Sequence, residues 1–148
     1  MTTITFGSVC SGLEAASVAW HRFGWRAAWL AEVEPNPAKL LHHHYGSGRP
    51  HYMLDPDADG LDEDERKQRR AMIKAVAKLP LVPAHSTAAP PNLGDMTRIE
   101  AMVRAGQVAA PDILCGGTPC QAFSFAGLRD SLDDSRGQLT LSFVRLAD

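Results

Sequence analysis

Strand-like and helix-like segments alternate along this chain, and that alternation limits the fold more than any other feature. Residues 3–10 (TITFGSVC) are β-branched and aromatic and end in a loop at Cys10-Ser11-Gly12. Residues 13–23 (LEAASVAWHRF) place Leu13, Ala16, Val18, Ala19, Trp20 and Phe23 at roughly helical intervals, with Gly24 as the stop. Residues 25–32 (WRAAWLAE) read as a second strand ending in an acid. Residues 35–45 (PNPAKLLHHHY) read as a helix with prolines in its tolerant first turn, closed by Gly46. The pattern resumes after residue 92. A helix is predicted over 97–105, with Thr97 as N-cap and Glu100 three positions on as a capping box, and Gly106 ends it. A strand follows at 111–115, then an amphipathic helix from about Gln138 to Leu146. Strands separated by helices pair in parallel through crossover connections, so the expected class is α/β with a parallel sheet.

Residues 46–91 break the pattern. They hold most of the prolines and a charge run, Asp62 to Arg70, in which acids precede bases by about one helical turn. That spacing supports a solvated helix running on through Met72, Ile73, Val76 and Leu79. Its flanks, GSGRPHYMLDPDADG and PLVPAHSTAAPP, read as mobile loop, and the whole segment as an insertion between two core elements. Two metal-like patterns fail on inspection. Consecutive helical residues such as His42, His43 and His44 point in different directions and cannot all face one ion. Asp55 to Gly60 resembles the start of a calcium loop, but Pro56 sits at its second position and Arg66 stands where a bidentate Glu is needed. No metal is expected.

Composition excludes several classes. With 148 residues, 45% apolar and 22% charged, the chain is that of an ordinary globular domain. No apolar run is long enough for a bilayer, and MTTITFGSVC lacks the basic and apolar regions of a secretory signal. The three cysteines form no disulfide ladder or CxxC pair, which fits a reducing cytoplasm and a thiol that must stay free. A net charge of −2 argues against strong DNA binding by this chain alone, though not against DNA as a substrate.

A Gly-containing loop after the first strand and an acid after the second make the general layout of a nucleoside site. A dinucleotide needs closely spaced glycines and a helix N-terminus free for pyrophosphate. Here the loop is CSGLEA, with a single glycine, and the anionic Glu14 near the helix start would repel a pyrophosphate. A phosphate-free cofactor such as S-adenosylmethionine suits it better. Further on, PDILCGGTPCQAFSFAG (111–127) reads as a short buried strand entering a Gly-rich loop that presents Cys120 between Pro119 and Gln121. Gly116 and Gly117 permit a sharp turn and Pro119 stiffens the approach, an arrangement that suits a nucleophile.

This block closely resembles the Pro-Cys-Gln loop of DNA cytosine-5 methyltransferases, with Asp-Ile-Leu-Cys before it and Asp134-Ser135-Arg136-Gly137 after it. The resemblance implies a Rossmann-like, S-adenosylmethionine-dependent methyltransferase fold that transfers a methyl group to C5 of a cytosine flipped out of double-stranded DNA. It makes Cys120 the nucleophile. It places Glu32 on the ribose hydroxyls, Val33 against the adenine, Asp95 on the adenine amino group and Met96 on the ring. Gly117, Pro119 and Leu139 map to the methionine side. Gln121 and Ser124 map to contacts with the flipped nucleotide's backbone or the DNA opposite, and Arg136 to a phosphate contact or a structural ion pair. The family's first loop reads Phe-x-Gly-x-Gly-Gly. Cys10 stands at the Phe, Gly12 at the first glycine, and Glu14 and Ala15 at the next two, so Cys10, Ser11, Gly12 and Leu13 form the matching loop with a departure at its end. The family's Glu-Asn-Val motif, later Arg motif and target-recognition domain have no counterpart within the 148 residues. The expectation is therefore the N-terminal part of a catalytic domain, of prokaryotic or phage type, over 1–148. A split enzyme would add a complementary C-terminal chain as partner. The alternatives are a fragment that binds cofactor or such a chain without catalysing, and a different thiol enzyme. The latter needs a His or Asp partner, and none lies near Cys120 in the sequence.

Overall fold

A computed structural model describes residues 3–118 and 135–147. The chain order is β1 (Thr5–Val9), α1 (Ala15–Trp20), β2 (Arg26–Ala31), α2 (Pro35–Tyr45), α3 (Glu63–Val76), α4 (Ile99–Arg104), β3 (Ile113–Gly116) and α5 (Ser135–Ala147). Short 3₁₀ turns at His21–Phe23 and Met96–Arg98 extend α1 and lead into α4. The sheet runs β2-β1-β3, all parallel, so β1 is central and both of its neighbours arrive by crossover. The expected α/β class, consistent with a Rossmann-like methyltransferase fold, is what forms. Thr5 ties the strand starts together, its backbone N–H and hydroxyl both donating to Asp112 at 2.7 and 2.9 Å.

Helices cover the sheet on both faces. Successive strand side chains alternate in direction, so Val9 faces one layer while Phe6 and Ser8 face the other. On the first face Val9, Trp29 and Ala31 pack with Leu93, Met96, Ile99, Met102 and Val108, with Leu139, Phe143 and Leu146 of α5 closing over them. On the other face Phe6 meets Trp20 of α1 edge-on at 5.0 Å, and Trp20 continues the stack to Trp25 at 5.1 Å.

Most element ends fall where the punctuating residues placed them. Gly24, Gly46 and Gly106 take left-handed conformations at helix ends, as the C′ position favours. Two readings change. Thr97 does not cap a helix: Asp95 does, its carboxylate accepting from the Thr97 N–H at 3.0 Å and the Thr97 hydroxyl at 2.7 Å. An Asp two residues upstream accepts more strongly than a hydroxyl, so the turn starts earlier and the Thr97–Glu100 box does not form. The capping box lies instead at α3, where Asp62 and Glu65 exchange bonds with each other's backbone N–H.

The second change concerns 46–91. Its flanks are not loose loop. Residues 91–94 run beside β2, with Leu93 N–H donating to Leu30 at 2.7 Å and Leu30 N–H to Pro91 at 2.9 Å. On the far side, residues 51 and 52 pair with 92–95 through His51 N–H to Asn92 at 2.9 Å, Tyr52 N–H to Leu93 at 3.1 Å and Asp95 N–H to Tyr52 at 2.9 Å. Gly94 is required there: its φ is +81°, and a Cβ would strike the Tyr52 carbonyl. α3 packs on α2, with Met72 and Val76 buried. At the calcium-like stretch, the Asp57 carboxylate pairs with Arg70 at 2.8 Å, and the Arg66 guanidinium donates to the Leu61, Pro56 and Ala58 carbonyls. Arginines thus occupy the place a cation would need. The ring of His42 bonds the Ser47 carbonyl at 2.8 Å, while His43 and His44 are exposed.

Candidate functional site

The C-terminal ends of the three strands converge on the loop after β1. Ser11 stitches that loop to the ends of β1 and β2: its hydroxyl donates to Ser8 O at 2.9 Å and accepts from Ala31 N–H at 3.1 Å. Cys10, Gly12 and Glu14 alternate in left-handed backbone, at φ of 48°, 55° and 62°. Left-handed conformations at the non-glycine Cys10 and Glu14 are strained, and such strain gathers where a backbone is held for function.

Glu32, one residue past β2, is nearly buried at 7% exposure. Its carboxylate accepts from Gly12 N–H at 2.9 Å and from Glu34 N–H at 2.8 Å, so the acid and the glycine loop form one unit. Behind it stands Asn92, fully buried. The Asn92 Oδ1 accepts from the N–H groups of Glu32 and Gly94, and its Nδ2 donates to the Glu32 carbonyl, each at 3.0 Å.

Two cavities open at this edge and share Cys10. The first, of about 100 Å³, is walled by Cys10, Ala31, Val33, Leu54, Met96 and Leu139, with the acids Glu32 and Asp95. The second, of about 190 Å³, lies between the β1 loop and the end of β3, lined by Ser8, Cys10, Ser11, Glu14, Cys115, Gly116 and Gly117 among others. Gly116 lets the strands close there, since a Cβ would meet the Val9 carbonyl. Larger hollows of about 570 and 380 Å³ exist, one among Trp29, Arg104, Asp112 and Arg145, the other beside Trp25, Tyr45 and residues 86–90. Neither is at the carboxyl ends of the strands, where open α/β sheets bind ligands, and neither gathers the loop, the acid and the glycine pair.

The structure thus brings Cys10, Glu32, Val33, Asp95, Met96 and Leu139 to one cavity, and Cys10, Ser11 and Gly117 to its neighbour. Gly12 contributes its N–H to Glu32. Leu13 is 71% exposed and lines neither cavity. Pro119, Cys120, Gln121 and Ser124 lie outside the described residues, as does the side chain of Arg136 in the first turn of α5. Three participants were missed. Leu54 comes from the segment read as an insertion and had no signal. Asn92 had one, because an Asn two residues before a Gly is an Asx-turn pattern. Glu14 was read only as an anion that would repel a pyrophosphate, at a position where the family has a glycine.

Both described thiols are held toward the neutral form. Burial, then the Glu32 charge, pushes Cys10 above the ordinary thiol value; burial does the same to Cys115, with Glu14 adding to it and Ser8 opposing. Neither microenvironment is that of an activated nucleophile.

A parallel sheet with a glycine-bearing β1 loop, an acid after β2 and paired cavities at the strand ends is an α/β arrangement consistent with a Rossmann-like methyltransferase fold. Residues 85–148 match the family model of C-5 cytosine-specific DNA methylase. The family resemblance of the cysteine loop is thereby borne out over that part of the chain, which carries the cytosine-5 DNA methylase signature. The chain is 41% identical, over all 148 of its residues, to a DNA N-6-adenine-methyltransferase of Escherichia phage P1, of which the match covers 14%. It is 47% identical over 55 residues to the Type II methylase M.HgiEI of Herpetosiphon aurantiacus, and 47% identical over 53 residues to the Type II methyltransferase M.NlaIV of Neisseria lactamica. Those matches cover 37% and 36% of this chain and 11% and 12% of the relatives, so the chain spans a small share of each relative's length. Among the described residues no helix is long and apolar enough to cross a membrane.

Proposed function

We propose that this chain supplies the methyl-donor site and the nucleophile loop of a DNA cytosine-5 methyltransferase. The observation that carries the reading is the unit formed by Glu32, Gly12 and Asn92 beside an apolar cavity that also holds Asp95 and Met96. Apolar walls at Val33, Leu54, Met96 and Leu139 suit a purine face, and two carboxylates suit the hydroxyl and amino donors at its edges. S-adenosylmethionine fits this set. When bound, it supplies an electrophilic methyl group and carries no phosphate that Glu14 would repel.

The chain's residues then have distinct tasks. Glu32 accepts from ribose hydroxyls while Gly12 and Asn92 hold it in place. Asp95 accepts from the adenine amino group, and Met96 covers the ring. Cys120 adds as a thiolate to C6 of a cytosine flipped out of double-stranded DNA, which makes C5 enamine-like and nucleophilic. After C5 is methylated, loss of the C5 proton re-forms the C5–C6 double bond and expels the thiolate. Gln121, Ser124 and Arg136 serve the DNA strand. The activity belongs to the whole protein, in a cytoplasmic restriction-modification or phage setting.

A second reading, methylation of the adenine exocyclic amine, is favoured by the name of the phage P1 relative, which matches the whole chain. An exocyclic amine attacks a methyl donor directly and needs no thiol, so it would leave Thr118-Pro119-Cys120-Gln121 without a task. One experiment separates the two. Full-length protein is incubated with DNA and S-adenosylmethionine, and the methylated base is identified by mass spectrometry. 5-Methylcytosine is expected, with turnover abolished in Cys120→Ser and a covalent adduct at Cys120 on DNA carrying 5-fluorocytosine, whose fluorine blocks the final elimination. N6-methyladenine with full activity in Cys120→Ser would refute the proposal.

A further inference from the structure

We propose that Glu14 is the counter-ion for a primary ammonium group, the α-amino end of the methyl donor, and holds the amino-acid tail in the cavity between the β1 loop and β3. The inference rests on the donor reading above and assigns a residue to it that the family pattern does not, since a glycine usually stands there.

Glu14 is 1% exposed, yet its carboxylate is only half used. Oε1 accepts from the Ser17 N–H at 3.1 Å and lies 3.4 Å from the Ser17 hydroxyl. Oε2 is buried without a hydrogen-bond partner among the described residues. The Ser8 hydroxyl is near enough to favour the charged form but is not placed as a bonding partner. Capping α1 does not explain the residue: Ser or Thr would accept from Ser17 with a shorter side chain and no second oxygen to leave unpaired. An unpaired buried oxygen of this kind is costly and asks for an occupant.

Its surroundings say what the occupant is. Glu14 lines the second cavity, and among the described residues no Lys, Arg or His lines it with Glu14. That cavity shares Cys10 with the apolar one holding Glu32 and Asp95. A ligand whose nucleoside fills the first therefore extends its tail into the second, past Gly117, where a Cβ would have no neighbour within 4 Å among the described residues. Burial pushes the Glu14 carboxyl above its ordinary range, with Ser8 and Ser17 pulling back. An ammonium group would restore its charge and complete its hydrogen bonding together.

The test is calorimetry of this chain with three ligands: S-adenosylhomocysteine, its des-amino analogue, and 5′-methylthioadenosine, which has no amino-acid tail. None carries a sulfonium, and the des-amino analogue keeps the carboxylate, so its comparison with the parent isolates the ammonium. Glu14→Gln keeps an acceptor for Ser17, and a melting curve checks its fold. The variant should bind S-adenosylhomocysteine about 10- to 100-fold more weakly, the scale of one charge-assisted hydrogen bond. Its affinity for 5′-methylthioadenosine should stay within about twofold, because that ligand has no ammonium to pair with either side chain at residue 14. Wild type alone should bind the des-amino analogue about 10- to 100-fold more weakly than the parent, an arm that needs no variant to fold. Undiminished S-adenosylhomocysteine binding by Glu14→Gln, equal losses on all three ligands, or wild type indifferent to the amino group would each overturn the role of Glu14 and leave the donor site standing. Wild type binding none of the three would overturn the donor reading and this inference with it.

Discussion

Replacing Asn92 with alanine should cost more than any surface change in this chain, and the magnitude can be worked from its bonds. Asn92 is fully buried and joins Glu32 N–H, Glu32 C=O and Gly94 N–H through three buried hydrogen bonds of 3.0 Å. Each contributes about 0.5–1.5 kcal/mol net, and removing the side chain strands backbone groups that water cannot reach. The expected loss is about 2–4 kcal/mol. In a domain of this size about 1 kcal/mol moves Tm by roughly 2–4 °C, so the melt should fall by about 5–15 °C. Urea unfolding measures the loss directly, with the slope unchanged if only the native state is affected. S-adenosylhomocysteine affinity should fall too, because Asn92 fixes the backbone that presents Glu32. Asn92→Asp separates the terms: it keeps the acceptor, loses the donor, and adds a buried negative charge beside Glu32, so it should be no better tolerated than alanine. A loss below about 1 kcal/mol in Asn92→Ala, less than one average buried bond, would refute the reasoning.

Glu32→Ala should weaken S-adenosylhomocysteine binding by about 1–3 kcal/mol, read by calorimetry on protein shown to be folded. Equal affinity would remove Glu32 from the site. Replacing residues 48–90 with a short Gly/Ser linker should destabilise the fold by about 4 kcal/mol or more. It deletes three backbone bonds to 92–95 and uncovers the α2 face under Met72 and Val76, at about 0.5–1.5 and 1.5–3 kcal/mol each. An unchanged melt would show the segment to be dispensable, as its composition suggests. Glu14→Gln should stabilise the ligand-free protein at neutral pH. The folded pKa of Glu14 lies above its ordinary value near 4.5, mainly through burial. The folded state therefore holds this proton more tightly, and stability is full below that value and falls as pH rises through the window above it. The variant lacks that loss, so its advantage in urea midpoint should be present at pH ~7.5 and gone by pH ~4. Cys115 and Tyr45, whose values are raised by burial and by Glu14, titrate well above this window. An advantage that persists at low pH would point to repacking instead.

What was legible in this sequence was whatever local chemistry decides. Gly24, Gly46 and Gly106 end helices because a left-handed residue is cheap only there, and Pro35 opens α2 because a first-turn N–H has no partner to lose. The pattern of apolar strands joined by helices likewise fixed a parallel order without any need for distances. What was not legible depends on residues far apart in the chain. Composition marked 46–91 as loose, but composition cannot register that Tyr52 pairs with Leu93 and Asp95, or that Leu54 reaches a cavity beside Glu32. Those contacts make the segment part of the site's wall. The same limit explains Glu14. Read along the chain, it is an acid where a glycine usually stands, a reason to doubt a phosphate. In three dimensions it is a buried carboxylate with one oxygen unpaired among the described residues, lining the cavity that also holds Cys115 and Gly117, two residues of the strand and loop leading to Cys120. A departure from a family pattern weakens the inference of the usual contacts at that position. It also marks where a chain makes its own, and the unpaired oxygen specifies the charge that such a contact must carry.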